Sequence, residues 1–230
     1  KQYLLEVIKT NTKAYDLYKK AGFTVTREFD YFDIDKTKLR LNGKVLEDEF
    51  EFREIHNPNW NLMKTFWDFE PSWQNCIDSI NRKIDYFKIF GIFKNKTLAG
   101  YGIIEPTTGD IPQLAIAKNF RKQGLGTNLL RLLSSFAEGD EIRIINTAAE
   151  YEPFKKFAKS VNLDPGFGQY ENGTASNLRS RAVPQSGHCR GQLPAQRRSF
   201  QGQPGNHPGP GQPAVRAGTA IPVIILLIQN

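Results

Sequence analysis

The stretch that decides the fold is Gln113-Leu-Ala-Ile-Ala-Lys-Asn-Phe-Arg-Lys-Gln-Gly-Leu-Gly-Thr-Asn-Leu-Leu130. A buried-looking strand ends at Ala117, a short polar connection follows, and Arg121-x-x-Gly124-x-Gly126 opens a helix whose apolar stripe is Leu125, Leu129, Leu132, Leu133 and Phe136. The glycines let the backbone N–H groups of Gln123 to Thr127 turn toward one point without a Cβ in the way. The unpaired N–H groups and dipole of a new helix make such a point attractive to anions. Arg121 and Lys122 add positive charge, so the expected ligand is a phosphate or pyrophosphate. A dinucleotide fingerprint needs a third glycine and a later acidic residue, and a P-loop needs Gly-Lys-Ser/Thr; neither stands here. The glycine spacing by itself is equally that of a tight, ligand-free entry into a helix.

Outward from this turn, residues 57–173 read as one α+β unit. Trp60 to Phe69 and Pro71 to Phe87 have helical spacing, with Ile77, Ile80, Ile84 and Phe87 on one stripe. Three strands follow, Lys88 to Phe93, Leu98 to Glu105 and Asp110 to Ala117, with turns at Asn95-Lys96 and Thr108-Gly109. After the glycine helix come a strand from Glu141 to Ile145, a helix over Glu152 to Ser160, and a closing strand near Gly168 to Glu171. The front part, residues 1–55, reads as strand (Tyr3 to Ile8), helix after Asn11, strand (Phe23 to Phe32), then a hairpin about Asn42-Gly43.

From Thr174 onward the usage changes. These 57 residues hold seven Gly, seven Pro, six Arg, no Lys and no carboxylate, a composition that cannot offset chain entropy by burial. The segment reads as disordered, and the abrupt shift suggests a frameshift or fused foreign sequence. The chain has 31 Lys+Arg against 24 Asp+Glu, so residues 1–173 hold 25 basic against 24 acidic side chains. Near-neutrality there removes the charge argument for nucleic-acid binding. The strongest apolar run, Ile221 to Ile228, is eight residues long, against about 20 for a membrane span. Cys76 and Cys189 offer neither metal-ligand spacing nor a disulfide framework. With no signal peptide after Lys1, these features favour a cytoplasmic protein without a metal.

Arg121-x-x-Gly124-x-Gly126 after Leu114-Ala115-Ile116, with this order of elements on both sides, closely resembles the acetyl-CoA-binding motif of the GNAT N-acetyltransferase superfamily. The resemblance covers about residues 57–171 and implies a mostly antiparallel, splayed sheet flanked by helices. It implies that backbone N–H groups of Lys122, Gln123, Gly124, Leu125, Gly126 and Thr127 hold the CoA pyrophosphate. It further implies that the pantetheine arm runs beside Leu114, Ala115 and Ile116, with the Ile116 N–H as oxyanion donor. The thioester would enter where this strand and Glu141 to Ile145 part, and Asn146 would contact CoA. The acceptor implied is an amine.

For a general base the candidates are Glu105, closing one strand, and Asp110, opening the next; both also flank the Thr107-Thr108-Gly109 turn. Gln113 faces the other side of its strand from Asp110. The family's last helix usually carries an Asn, an Ala, a Leu-Tyr pair and a Gly-Phe pair, the Tyr donating a proton to the CoA sulfur. That pattern stands in the front part as Asn11, Ala14, Leu17-Tyr18 and Gly22-Phe23. Residues 1–55 thus resemble the C-terminal part of another GNAT domain, as in a tandem protein truncated at its N-terminus. A shift of 140 residues puts Asn162-Leu163 on Gly22-Phe23, Ala158 on Tyr18 and Tyr151 on Asn11. The proton donor is missing at its usual place, and Tyr151 is the nearby candidate, or a packed aromatic. An acyl-CoA-binding module without catalysis and a structural support domain are the alternative readings. Trp60, Phe66, Trp67, Phe69 and Trp73 suit an acceptor pocket or core packing, and exposed strand edges favour self-association.

Overall fold

The computed structural model describes residues 2–42, 46, 49–174 and, by backbone alone, 225–228. Its strands are β1 Gln2–Ile8, β2 Phe23–Asp35, β3 Phe50–Glu54, β4 Lys88–Lys94, β5 Thr97–Glu105, β6 Asp110–Ile116, β7 Glu141–Ala148, β8 Asp164–Pro165, β9 Gln169–Thr174 and β10 Ile225–Ile228. The helices are α1 Thr12–Lys20, α2 Trp60–Lys64, α3 Ile77–Asn81, α4 Leu125–Phe136 and α5 Glu152–Ser160. All the strands join one sheet in the order β10-β1-β9-β2-β7-β6-β5-β4-β3, with β8 on β2. This is the mixed α+β, mostly antiparallel sheet that the sequence predicts: β6 with β7 is its parallel pair.

The meander β4–β5–β6 is the rigid centre. Asn95 and Lys96 both take positive φ, as a two-residue hairpin turn requires. β5 is buried on both faces. Tyr101 and Ile103 pack with Met63, Phe66, Ile80 and Ile89 beneath α2 and α3. Ala99 and Ile104 pack with Leu129, Leu130 and Leu133 of α4. Gly102 permits that second contact, because a Cβ there would lie 2.5 Å from a Leu133 methyl.

The front part does not stand apart. β1 pairs with β9, β9 with β2, and β2 with β7, each antiparallel. The units β1–α1–β2 and β7–α5–β9 therefore interleave: each inserts its second strand beside the other's first. They match in detail, as the 140-residue shift implies. Asn11 and Tyr151 are the N-cap residues of α1 and α5, and Gly22 and Asn162 follow these helices at φ +87° and +66°.

Two expectations change, and a third lies partly outside the described residues. The hairpin about Asn42-Gly43 lies partly outside the described residues, and Phe50–Glu54 beyond it pairs with β4. The two helices before β4 shrink to α2 and α3, because Pro71 disfavours helix at Glu70 and Arg121 binds the Phe66 carbonyl and Asp68 carboxylate. Residues 175–224, 229 and 230 of the segment read as disordered lie outside the described residues, but Ile225–Ile228 forms a strand on the outer edge of β1, where its apolar run meets unpaired backbone groups.

At the start of the parallel pair, Gly109 sits at φ +73°, and a Cβ would fall 2.2 Å from the Glu141 carbonyl oxygen. Gly109→Ala therefore has to move β7 off the turn as well as strain the backbone. It is expected to cost about 2 kcal/mol or more of stability, read as a lower urea midpoint.

Candidate active site

β6 and β7 touch in register at one pair, Asp110 opposite Arg143. That point is tied three ways. Arg143 N–H donates to Gly109 C=O at 2.9 Å, its guanidinium donates to Thr108 C=O at 2.9 Å, and it pairs with Asp110 at 2.7 Å. Beyond the tie the strands diverge, and a cavity of about 760 Å³ opens between Leu114, Ala115 and Ile116 on one side and Ile144 to Thr147 on the other.

The glycine turn forms one end of this cavity. Lys122 and Gly124 both have positive φ, +62° and +87°, which bends the backbone into α4. The first helical bond runs from Asn128 N–H to Gly124 C=O, so the N–H groups of Leu125, Gly126 and Thr127 have no partner within the helix. No side chain caps it. Gly124, Leu125, Gly126, Thr127, Lys122 and Arg121 all line the cavity, with Lys156 added from α5; Gln123 does not line it.

Arg121 is placed otherwise than its charge suggested. Its guanidinium donates to Ile116 C=O at 3.0 Å and Phe66 C=O at 3.0 Å and pairs with Asp68 at 2.7 Å. It staples the turn to the loop after α2, and Asp68 offsets its charge. The same Asp68 accepts a hydrogen bond from the Tyr151 hydroxyl at 2.6 Å, while Phe69 packs on the Tyr151 ring with centroids 5.4 Å apart. Burial raises the Asp68 carboxyl, but the bonds from Arg121 and Tyr151 outweigh it and hold it below the usual carboxylate range. Burial, followed by the bond to Asp68 and its charge, pushes the Tyr151 phenol up to about 12. Tyr151 is therefore a protonated phenol at neutral pH, in the cavity wall.

A polar chain crosses the wall nearby. Trp67 Nε1 donates to the Tyr101 hydroxyl at 2.5 Å, Tyr101 donates to Gln113 Oε1 at 2.7 Å, and Gln113 Nε2 donates to Asn75 C=O at 2.7 Å. Asn75 Nδ2 reaches Ile145 C=O at 2.8 Å, fastening the loop before α3 to β7. Of the aromatic residues read as an acceptor pocket, Phe66, Trp67 and Phe69 line the cavity; Trp60 and Trp73 do not. Asn146 lines it from a bulge in β7, at φ +60°.

Glu105 and Asp110 lie at the tied end and do not line the cavity. Burial pushes the Asp110 carboxyl up, against the pull of Arg143. Ala158, at the place of Tyr18, is a core residue that is 1 % exposed. Asp68, Tyr101, Asn75 and Lys156 were missed in the sequence. The first of them stands within the aromatic run Phe66 to Phe69, a polar residue at a position that a packed helix would keep apolar.

Among the described residues the architecture is thus an α+β sheet split at one parallel pair, with an uncapped helix entering the split. Residues 50–159 match the family model described as acetyltransferase (GNAT) family, and this stretch is a GNAT acetyltransferase domain. Solved structures of similar fold include a tandem GNAT protein from the clavulanic acid biosynthesis pathway (12 % identity, 76 % of this chain and 64 % of that one, TM-score 0.56). A functionally unknown conserved protein from Staphylococcus epidermidis (13 %, 75 % and 72 %, 0.52) and a GCN5-related N-acetyltransferase from Sphaerobacter thermophilus (12 %, 74 % and 58 %, 0.51) share it too. At these identities the likeness is one of fold, and the chain spans less than two thirds of the tandem and Sphaerobacter proteins. No curated protein matches the chain. Among the described residues no group of His, Cys, Asp and Glu suits a metal ion, and no helix is long and apolar enough to cross a membrane.

Two outcomes follow from the charges. Asp68→Asn removes the acceptor charge but not the burial, so the Tyr151 phenol should fall part of the way from about 12 toward the ordinary value near 10; phenolate absorbance, referenced to Tyr151→Phe, reads it. Glu6, buried beside Glu171, is raised to about 8 by burial first and then by that neighbouring charge. The folded state thus keeps a proton that the unfolded chain releases above about pH 4.5, and stability should fall as pH rises from there to about 8. Glu6→Gln should flatten that decline in thermal midpoint against pH.

Proposed function

We propose that the chain binds acetyl-CoA in the split between β6 and β7 and transfers its acetyl group to a primary amine of a small molecule or peptide. One observation carries the reading: the uncapped N-terminus of α4 opens into the same cavity as the parting strands, so diphosphate and thioester can be held by one continuous wall. Acetyl-CoA would supply an activated acyl carbon. The N–H groups of Leu125, Gly126 and Thr127, with the charges of Lys122 and Lys156, hold the diphosphate. The edge of β6 at Leu114 to Ile116 offers backbone partners to the pantetheine arm, and the Ile116 N–H stabilises the tetrahedral oxyanion. Asn146 meets the same ligand from β7.

Tyr151 gives its proton to the departing sulfur. The phenol is protonated at neutral pH, and its bond to Asp68 fixes the ring until that transfer. The tie of Asp110 to Arg143 supports a structural role for it; Glu105, opposite it, could take the amine proton only through water. Interleaved β1 and β2 support the reading of residues 1–55 as the C-terminal part of a second such domain, followed by the acetyl-CoA-binding domain over 56–173 and a tail over 174–230 whose Ile225–Ile228 stretch joins β1. A cytoplasmic setting, no nucleic-acid partner, and self-association through exposed edges complete the proposal.

A second reading, a non-catalytic acyl-CoA-binding module, is favoured by Ala158, which leaves the usual proton donor's place apolar. Calorimetry with acetyl-CoA and a thiol-release assay over a panel of amines separate the two. Tyr151→Phe is expected to lower kcat by about 10²-fold or more with acetyl-CoA affinity retained. Uptake of acetyl-CoA with no thiol release on any amine would leave the binding module; no uptake at all removes both readings.

A further inference from the structure

The loop between α2 and α3 lines the cavity with Trp67, Asp68, Phe69 and Pro71. It belongs to neither helix nor strand, so side chains from elsewhere in the fold hold its carbonyls. Arg121, from the glycine turn, binds the Phe66 carbonyl at 3.0 Å and the Asp68 carboxylate at 2.7 Å. Gln113, on β6, binds the Asn75 carbonyl at 2.7 Å. The Asn146 side-chain amide lies within hydrogen-bond distance of Ser72 (2.9 Å) and of Glu6 (3.0 Å). A further tie comes from the front part of the chain: Arg27 of β2 donates through Nη1 to the Glu70 carbonyl at 2.9 Å.

Arg27 is itself fixed. Its Nε donates to Glu171 Oε1 at 2.9 Å and its Nη2 to Glu171 Oε2 at 2.5 Å, a fork on a carboxylate that is 3 % exposed. Glu171 lies opposite Arg27 in the register of β2 with β9, and Thr26 Oγ1 adds a bond to Glu171 Oε1 at 2.9 Å. A guanidinium held by such a fork has a set plane, so Nη1 is aimed at Glu70 rather than free to swing. We propose that Arg27 is a positioning residue: from the front part of the chain it fixes residues 67–71 of the cavity wall, and so sets the fit of the acceptor amine. The cavity-facing stretch is then held at both ends, by Arg121 at Phe66 and by Arg27 at Glu70. Between them stand Asp68 and Phe69, which meet Tyr151 through a hydrogen bond at 2.6 Å and rings 5.4 Å apart. In the acetyl-transfer reading the coenzyme takes the N-terminus of α4 and the edge of β6, which leaves Trp67, Phe69 and Pro71 to the acceptor. What the wall receives rests on that reading; the hold of Arg27 on the loop belongs to the free protein.

The test compares the full chain with Arg27→Lys and Thr26→Val. A lysine keeps the charge beside Glu171 but is a point donor on a flexible stem, without the planar fork that aims Nη1 at Glu70. Thr26→Val removes a different bond to Glu171 and leaves the clamp in place. Hydrogen exchange of the ¹⁵N-labelled Trp67 indole N–H, which donates to Tyr101 at 2.5 Å, is followed without ligand. The Trp60 indole N–H, bonded to Asn81 outside the loop, is the internal reference. The Kd for acetyl-CoA is then measured, with KM and kcat for the most reactive amine of the panel. Arg27→Lys should speed Trp67 exchange and raise the amine KM about tenfold, with kcat changed less and with Trp60 exchange and acetyl-CoA Kd retained. Thr26→Val should match the wild type in all of these. Unchanged Trp67 exchange or unchanged KM in folded Arg27→Lys overturns the proposal, as does equal loss in Thr26→Val or a loss of acetyl-CoA affinity as large as that in KM. If Arg27→Lys does not fold, Arg27→Met with Glu171→Met replaces it under the same outcomes, because a buried ion pair removed whole leaves neither partner unpaired. A wild-type chain that takes up no acetyl-CoA, or acetylates no amine, strikes the functional reading alone, and Trp67 exchange still decides whether Arg27 holds the loop.

Discussion

The structure depends on a knot of contacts at the start of the one parallel strand pair among the described residues. Arg143 binds Gly109, Thr108 and Asp110 at once, and Gly109 lets the β7 backbone come close enough to be held. Two twisted strands joined at one end and covered by different helices must part at the other. That parting makes the cavity, and it explains why a carboxylate that looked catalytic in the sequence is occupied elsewhere. Asp110 is held by Arg143 where the strands meet; the cavity opens at the far end.

At the far end the charges are arranged economically. The motif arginine, Arg121, is bound to two carbonyls and Asp68, so the proposed hold on a diphosphate rests on backbone N–H groups and on Lys122 and Lys156. Asp68 is the hinge of this arrangement because one carboxylate reaches both Arg121 and Tyr151. It links the glycine turn to α5 across the loop that carries Trp67 and Phe69. A change in any of the three is felt by the other two through charge as well as packing.

The sequence made the meander, α4 and the glycine turn legible because each is set by local physics: apolar runs bounded by turns at Asn95-Lys96 and Thr108-Gly109, a leucine stripe, and Gly124 at positive φ. The same holds for α5, and for the left-handed Gly22 and Asn162 that confirm the internal match. What it hid is non-local. Within Trp60 to Phe87 Pro71 alone marks where helix yields to a loop; the other cause, Arg121, lies more than fifty positions along. Nothing near Tyr151 names Asp68 as its partner. Glu6 reads as one acidic residue in an apolar strand, and its meeting with Asn146 follows only from the strand order.

That strand order has a consequence for how the chain acquires its shape. β1 and β2 find their partners in β9 and β7, more than a hundred residues later, so the loop-closure entropy of the whole domain falls due before these pairs form. Synthesis from the N-terminus leaves β1 and β2 with exposed edges until residue 174 has emerged. High contact order of this kind predicts slow folding for the size, with β4–β5–β6 and α4, whose contacts are local, as the part able to assemble first.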